Sequence, residues 1–290
     1  MLDYNSRLKP NHSKGLCGDE EVVESNSELA RKCRQLASLL RASQYCVVFT
    51  GAGISTSAGI ADFRGPRGVW TRELLGDPLK PEEKTAEVFN RAQPTYTHYA
   101  IKALIDQGYV KHLVSQNVDG LHLRSGVKAE DLSELHGNIF LEYCEKCNAS
   151  YLHDTDRGGM GLKYTGNICT MGRCRGKLRD FAVDWDTDLP EEIFKQAKNE
   201  ICKADLVIVL GSSLRIQPAG NMPAGVLTTT RRRPHKGKLV IVNLQKTHLD
   251  RRSELRIHHY TDEVMMRVCR ELEINVAMSH TEESTGSSVV

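Results

Sequence analysis

The 290-residue chain lacks any apolar run near the roughly 18 residues that a membrane-spanning helix needs, so no span is expected. Its first residues, MLDYNSRLKPNHSK, contain no apolar core of a secretory signal, which points to an intracellular protein. Charge of one sign is missing too. The 39 Lys and Arg against 37 Asp and Glu leave only +2, so net charge selects no nucleic-acid or acidic partner; only a local cluster can. Internal repeats are absent, which excludes a solenoid. The length, by contrast, allows one large domain with a small insert. Such a chain buries roughly 75% of its unfolded surface and needs no disulfide staples. Nine cysteines, an odd number without a signal peptide, fit a reducing compartment where thiols bind metal or stay free.

Residues 1–24 are polar and aperiodic, an arm that orders only if it docks. Ser25 and Glu28 then stand at capping-box spacing, and Leu29, Cys33, Leu36 and Leu40 share one helical face. Four apolar runs follow, each ending in small polar residues. CVVF leads into Thr50-Gly51-Ala52-Gly53, and HLV into Ser115-Gln116-Asn117. LVIVL leads into Gly211-Ser212-Ser213, and LVIV into Asn243-Leu244-Gln245. Such runs, separated by helical stretches, predict an α/β fold: a Rossmann-like parallel sheet with helices on both faces. Ligands sit beyond the carboxyl ends of such strands, so the four polar stretches read either as turns or, better, as one shared pocket. The large domain is expected over 25–139 and 181–272, closing with a helix that aligns Val264, Val268 and Leu272. Residues 140–180, rich in cysteine and glycine with little periodicity, read as an inserted module, and 273–290 as a disordered tail.

Gly51 and Gly53 follow a strand, where glycine lets the backbone approach a pyrophosphate. The dehydrogenase fingerprint would need glycine at Thr56, and the next one is Gly59, so hydride transfer is disfavoured. In the insert, Cys144-x₂-Cys147 and Cys169-x₄-Cys174 lie 21 residues apart. Both spacings suit two thiolates on one tetrahedral zinc, and four sulfurs leave no open position, so the ion is structural. A disulfide pair and a redox dithiol are the alternatives; the first needs secretion and the second leaves a cysteine pair unexplained.

GAGISTSAGIADFRG (51–65), QNVDGLHLRSG (116–126), ELHGN (134–138), the four-cysteine insert, GSSL and IVNLQ occur in that order. Together, over about residues 25–272, they resemble the sirtuins, NAD-dependent protein-lysine deacylases. RGPRGVWT, SQNVDGLHLRSG and IVNLQ are similar to the class IV branch holding sirtuins six and seven; KGLCG and DWDTDLP are closer to sirtuin six. The resemblance implies that acyl-lysine and NAD enter a tunnel from opposite sides. The acyl oxygen attacks the anomeric carbon, nicotinamide leaves, and a histidine base lets the ribose oxygen capture the acyl group. It implies His136 as that base, Asn117 holding a ribose or bridging water, and Asp119 accepting from the nicotinamide amide. Phe63 would shield the sugar face, Arg64 fix phosphate or the loop, and Trp70 pack over the cofactor, with Asp62 beside them. Ala52 and Thr56 would meet the phosphates, and Gln116 the ribose. Asn243 and Gln245 would meet the adenosine and Thr261 the adenine end, with Gly211, Ser212, Ser213 and Leu244 completing the site.

The same resemblance implies products of free lysine, nicotinamide and acyl-ADP-ribose, with histone tails as the substrate and a nuclear location. Two readings stand beside it: mono-ADP-ribosyl transfer from the same pocket, and a chromatin scaffold that only binds NAD. Ala61 replaces the usual proline of the family's G-I-P-D-F-R, which leaves that loop more mobile, and Val183-Asp184-Trp185-Asp186 replaces its F-G-E, which leaves long-chain deacylation or ADP-ribosyl transfer open. RRRPHKGK (231–238) reads as a solvated connection or, more sharply, as a nucleosome, DNA or import contact.

Overall fold

The computed structural model describes residues 4–9, 14–80, 86–231, 233–278 and 288–289. In chain order its strands are β1 (Cys46–Thr50), β2 (Val110–Ser115), β3 (Leu132–Glu134), β4 (Gly137–Cys144), β5 (Ser150–Leu152), β6 (Tyr164–Ile168), β7 (Lys177–Ala182), β8 (Leu206–Leu210), β9 (Lys238–Val242), β10 (Leu255–Ile257) and β11 (Ser288–Val289). The helices are α1 (Tyr4–Arg7), α2 (Asn26–Ala42), α3 (Val69–Leu74), α4 (Glu87–Arg91), α5 (Tyr96–Asp106), α6 (Leu121–Arg124), α7 (Glu191–Lys203) and α8 (Thr261–Glu271). None is long and apolar enough, among the described residues, to cross a membrane.

The apolar runs form the middle of a parallel sheet in the order β10-β9-β8-β1-β2-β3. Successive side chains of a strand point to opposite faces, and both faces here are covered. Cys46 and Val48 of β1 join Leu36 of α2, Ile101 of α5 and Val264 and Val268 of α8 in one core. Val47 and Phe49 join Ala197 and Ile201 of α7 in another. The edge strands β3 and β10 were not foreseen. Each has three residues with a polar one in the middle, Ser133 and Arg256, too short for a pattern to register. α2 buries the face read from its spacing, and Ser25 Oγ accepts from Glu28 N at 3.4 Å. Glu28 does not close the capping box; its carboxylate pairs with Arg31 instead.

The insert is a second sheet, antiparallel, in the order β11-β5-β4-β7-β6, beginning at Gly137 and returning at Ala182. The strands form although the segment shows little periodicity in sequence. The inward positions of β7 are Leu178, Asp180 and Ala182, so a buried carboxylate breaks the apolar alternation. Asp180 sits there because its oxygens accept from Leu162 N and Lys163 N at 3.1 and 2.7 Å. β6 is mostly exposed and carries no pattern at all.

The arm is docked, the condition on which its order was expected to depend, whereas the start of the expected tail is folded. Gly18 N, Val22 N and Glu24 N donate to the carbonyls of Arg64, Leu244 and His258, which ties the arm across the sheet edge. Ile274 and Val276 pack on the α2–α8 core, so residues 273–278 belong to the folded domain. Ser288–Val289 pairs with β5, and the rest of the expected tail, 279–287 and 290, lies outside the described residues.

Candidate functional site

A cavity of about 670 Å³ opens at the carboxyl ends of β1, β2, β8 and β9, within the usual range for small-molecule sites. Gly51, Ala52, Gly53, Asp62, Phe63 and Arg64 line it from the loop after β1, and Gln116, Asn117 and Asp119 from the loop after β2. His136 enters from the seam between the two sheets, Gly211, Ser212 and Ser213 from beyond β8, and Asn243 and Gln245 from beyond β9. Gln116 Nε2 donates to Ser212 Oγ at 2.6 Å, joining two of these loops. The glycines permit the convergence. A Cβ on Gly53 would lie 2.9 Å from Gly211 Cα, and one on Gly51 2.8 Å from the Gly211 carbonyl oxygen.

Ser55 is the hub of the polar centre. Its fully buried hydroxyl donates to Asp119 Oδ2 at 2.7 Å and accepts from Asn117 Nδ2 at 3.2 Å. Asp119 Oδ1 accepts from Leu121 N at 3.0 Å, which fixes the carboxylate at the start of α6. Burial pushes its pKa up, with the Ser55 hydrogen bond opposing. His136 Nδ1–H donates to Gln116 O at 2.7 Å, leaving Nε2 as the ring's proton acceptor. Burial holds its pKa below the ordinary 6.5, so the ring is neutral at pH 7. His136 is positioned from both sides. Leu135 N donates to Ser115 O at 2.9 Å, and Val183 N to His136 O at 3.2 Å.

Phe63 sits in an aromatic group with Trp70 and Trp185, ring centroids 5.0 and 6.4 Å away. The Arg64 guanidinium lies 4.4 Å from the Trp70 ring centroid, and its Nε donates to Lys14 O at 3.0 Å. Asp62 Oδ1 accepts from Gly65 N at 2.8 Å; a Cβ on Gly65 or Gly68 would come within 2.5 Å of that carboxylate. Four expected residues stand outside the cavity wall. Trp70 backs Phe63 from behind, Thr56 Oγ1 donates to Gly53 O, Leu244 O accepts from the arm, and Thr261 begins α8.

Sequence reasoning missed Ser55, whose only signal was a small hydroxyl inside the glycine motif. It also missed Tyr4, Asn5 and Leu8, which line the cavity from the arm. Nothing local marks those three, because the walls they meet lie more than fifty residues away in sequence.

The four insert cysteines converge, with Cys144 and Cys174 Sγ 3.6 Å apart and Cys147 and Cys169 Sγ 3.5 Å apart. All four sulfurs lie within 4.8 Å of one another, and none is in a disulfide. Zinc–sulfur bonds of about 2.3 Å in a tetrahedron put sulfurs about 3.8 Å apart, so the cluster fits one structural zinc. Gly176 makes room, since a Cβ there would meet Cys144 Sγ at 2.6 Å.

A doubly covered parallel sheet with glycine loops meeting at its carboxyl edge, carrying a four-cysteine insert, defines an α/β nucleotide-binding protein. Residues 51–218 match the Sir2 family. The chain is 43% identical over 281 residues to the NAD-dependent protein deacetylase Sirt6 of Drosophila melanogaster, covering 94% of this chain and 86% of that one. It is 43% identical over 275 residues to the NAD-dependent protein deacetylase SRT1 of Arabidopsis thaliana, covering 95% of this chain but 56% of the relative, so it spans little more than half of that protein. A solved Sir2 with p53 peptide and NAD+ superposes with a TM-score of 0.61 at 30% identity, covering 84% of this chain and 100% of that one. The chain belongs to the Sir2 family.

Proposed function

We propose that this protein is an NAD-dependent protein-lysine deacylase that releases nicotinamide and forms O-acyl-ADP-ribose. One observation carries the reading: His136 from the seam of the two sheets and Asn117 and Asp119 from the loop after β2 meet the glycine loops in a single cavity. The relatives' names and the peptide- and NAD-bound Sir2 structure support it. The donor set suits a dinucleotide, with small residues at 51–53 and 211–213 beside phosphates and Gln116, Asn243 and Gln245 beside sugar hydroxyls. Bound NAD supplies a ribose whose anomeric carbon carries a cationic leaving group.

His136 takes a ribose hydroxyl proton at Nε2, and Gln116 O steadies the imidazolium through Nδ1–H. Asn117 and Asp119, held by Ser55, orient the ribose and the nicotinamide amide. Phe63, backed by Trp70 and Trp185, keeps water from the sugar face. Histone tails in the nucleus are the substrate class this reading favours, on the resemblance to the class IV branch; the Sirt6 and sirtuin-7 relatives are named as protein deacetylases. The test is mass spectrometry of NAD with acetyl- or myristoyl-lysine histone peptides. Acyl-ADP-ribose is the expected product; ADP-ribosylated protein without it, or no turnover, refutes the assignment.

A further inference from the structure

The cysteine cluster is touched by a buried hydroxyl that no spacing marks. Tyr151 is the middle residue of β5, and the alternation of the strand turns it inward, where it packs with Cys144, Cys169 and Leu178. Its Oη lies 3.0 Å from Cys169 Sγ. The direction of that bond follows from what else the oxygen meets. A phenolic hydroxyl carries one proton and accepts only at its lone pairs. Thr170 N and Met171 N donate to Tyr151 Oη at 2.9 and 3.1 Å, and Thr170 Oγ1 reaches it at 3.5 Å, which takes up the accepting side. The hydroxyl proton is left for Cys169 Sγ, and a thiolate, the form that binds metal, is the sulfur that accepts it best. Both residues are buried, so water does not replace the hydroxyl if it is lost.

We propose that Tyr151 is a positioning residue of the metal site: through Cys169 it sets how tightly, and for how long, the insert keeps its zinc. The proposal rests on the zinc assignment and is independent of the deacylase reading. One oxygen acts in two ways here. Its proton steadies the charge on Cys169, and its lone pairs hold the backbone of Thr170 and Met171, which fixes the turn between Cys169 and Cys174. Tyr151 also pairs with Glu142 of β4, the strand that runs from the His136 seam to Cys144, so the same side chain ties the second cysteine pair to the strand that carries the first. Groups that orient a metal's ligands in this way change metal affinity by about 10–100-fold.

The experiment uses the whole 290-residue chain loaded with zinc, as wild type, Tyr151→Phe and Tyr164→Phe. The first substitution keeps the ring and removes the hydroxyl. The second is the control, an exposed tyrosine of the same insert whose hydroxyl donates to Glu145 Oε1 at 2.6 Å. A chromophoric chelator withdraws the metal and gives both an affinity, by competition, and a release rate. Tyr151→Phe is expected to bind zinc about 10–100-fold more weakly and to release it faster, with Tyr164→Phe within about twofold of wild type. Cobalt in place of zinc adds a readout that loosened packing does not reproduce. The sulfur-to-cobalt charge-transfer band should move to longer wavelength in Tyr151→Phe, because a sulfur without its donor gives up electron density more easily, while the tetrahedral d–d bands stay in place. If Tyr151→Phe does not fold, NMR of cadmium-loaded wild type decides, since scalar coupling between the metal and the Tyr151 hydroxyl proton arises only across an O–H···S–Cd bond. Unchanged affinity, an unmoved band, an equal loss in Tyr164→Phe, or no coupling in wild type overturns the role of Tyr151 and leaves the zinc site standing. Wild-type protein that takes up no zinc overturns both.

Discussion

His136 owes its useful tautomer to one carbonyl, that of Gln116, and its neutrality to burial. His136→Ala is expected to lower kcat/KM by roughly 10²–10⁴-fold with the thermal midpoint nearly unchanged, measured by acyl-ADP-ribose formation and calorimetry. Because burial depresses this pKa, the base form persists below pH 6.5. The acid limb of kcat/KM should accordingly lie under 6.5, and a limb above that value would remove His136 from the role. Ser55→Ala leaves Asn117 and Asp119 without their shared partner. A hydrogen bond to a charged group contributes about 1.5–3 kcal/mol, so activity should drop about tenfold or more while NAD-free folding survives. The glycine motif exposed this neighbourhood in the sequence, but not the hydroxyl that organises it.

At the scale of elements, the insert depends on its metal. Apparent zinc binding of roughly 10–16 kcal/mol matches or exceeds the roughly 5–15 kcal/mol stability of a whole domain. Chelation, or Cys144→Ser, should therefore release amide protection across 137–182, and active protein free of zinc would contradict the assignment. The insert also anchors Val183, whose N–H holds the His136 carbonyl, so activity should fall with it. The basic stretch divides once it is folded. Arg233 is buried, and its guanidinium donates to the carbonyls of Gly225, Thr228 and His235, whereas Arg231 and Lys236 are exposed. Arg233→Ala should destabilise the fold by about 1–3 kcal/mol in denaturant titration, because it removes a buried side chain and its charge-assisted hydrogen bonds to three carbonyls. Arg231→Glu with Lys236→Glu, two exposed cations of the stretch, tests nucleosome contact, and binding unchanged at low salt would dismiss it.

For the molecule as a whole, buried titratable groups beside the site set a pH window. Burial lowers His98 to about 3 and His122 well below 6.5. Their neutral forms favour the fold at and above 6.5, and that stability is lost as pH falls from 6.5 toward 3. Glu134 runs the other way. Burial lifts it from 4.5 to about 8, so its contribution is intact below 4.5 and is lost as pH rises toward 8. Glu134→Gln should therefore raise stability at pH 8 by a few kcal/mol and change little at pH 4, by chemical denaturation at both values. The helix faces of α2 and α8, the four central strands, the zinc spacing and the family motifs were all legible in the sequence, since each is fixed by neighbours a few residues apart. Tertiary structure alone decided that Ser55 joins Asn117 to Asp119, that Arg233 turns inward, and that Tyr4 donates to Val183 across 179 residues. Periodicity and spacing encode short-range geometry, whereas burial and contact between distant segments exist only once the chain has closed on itself.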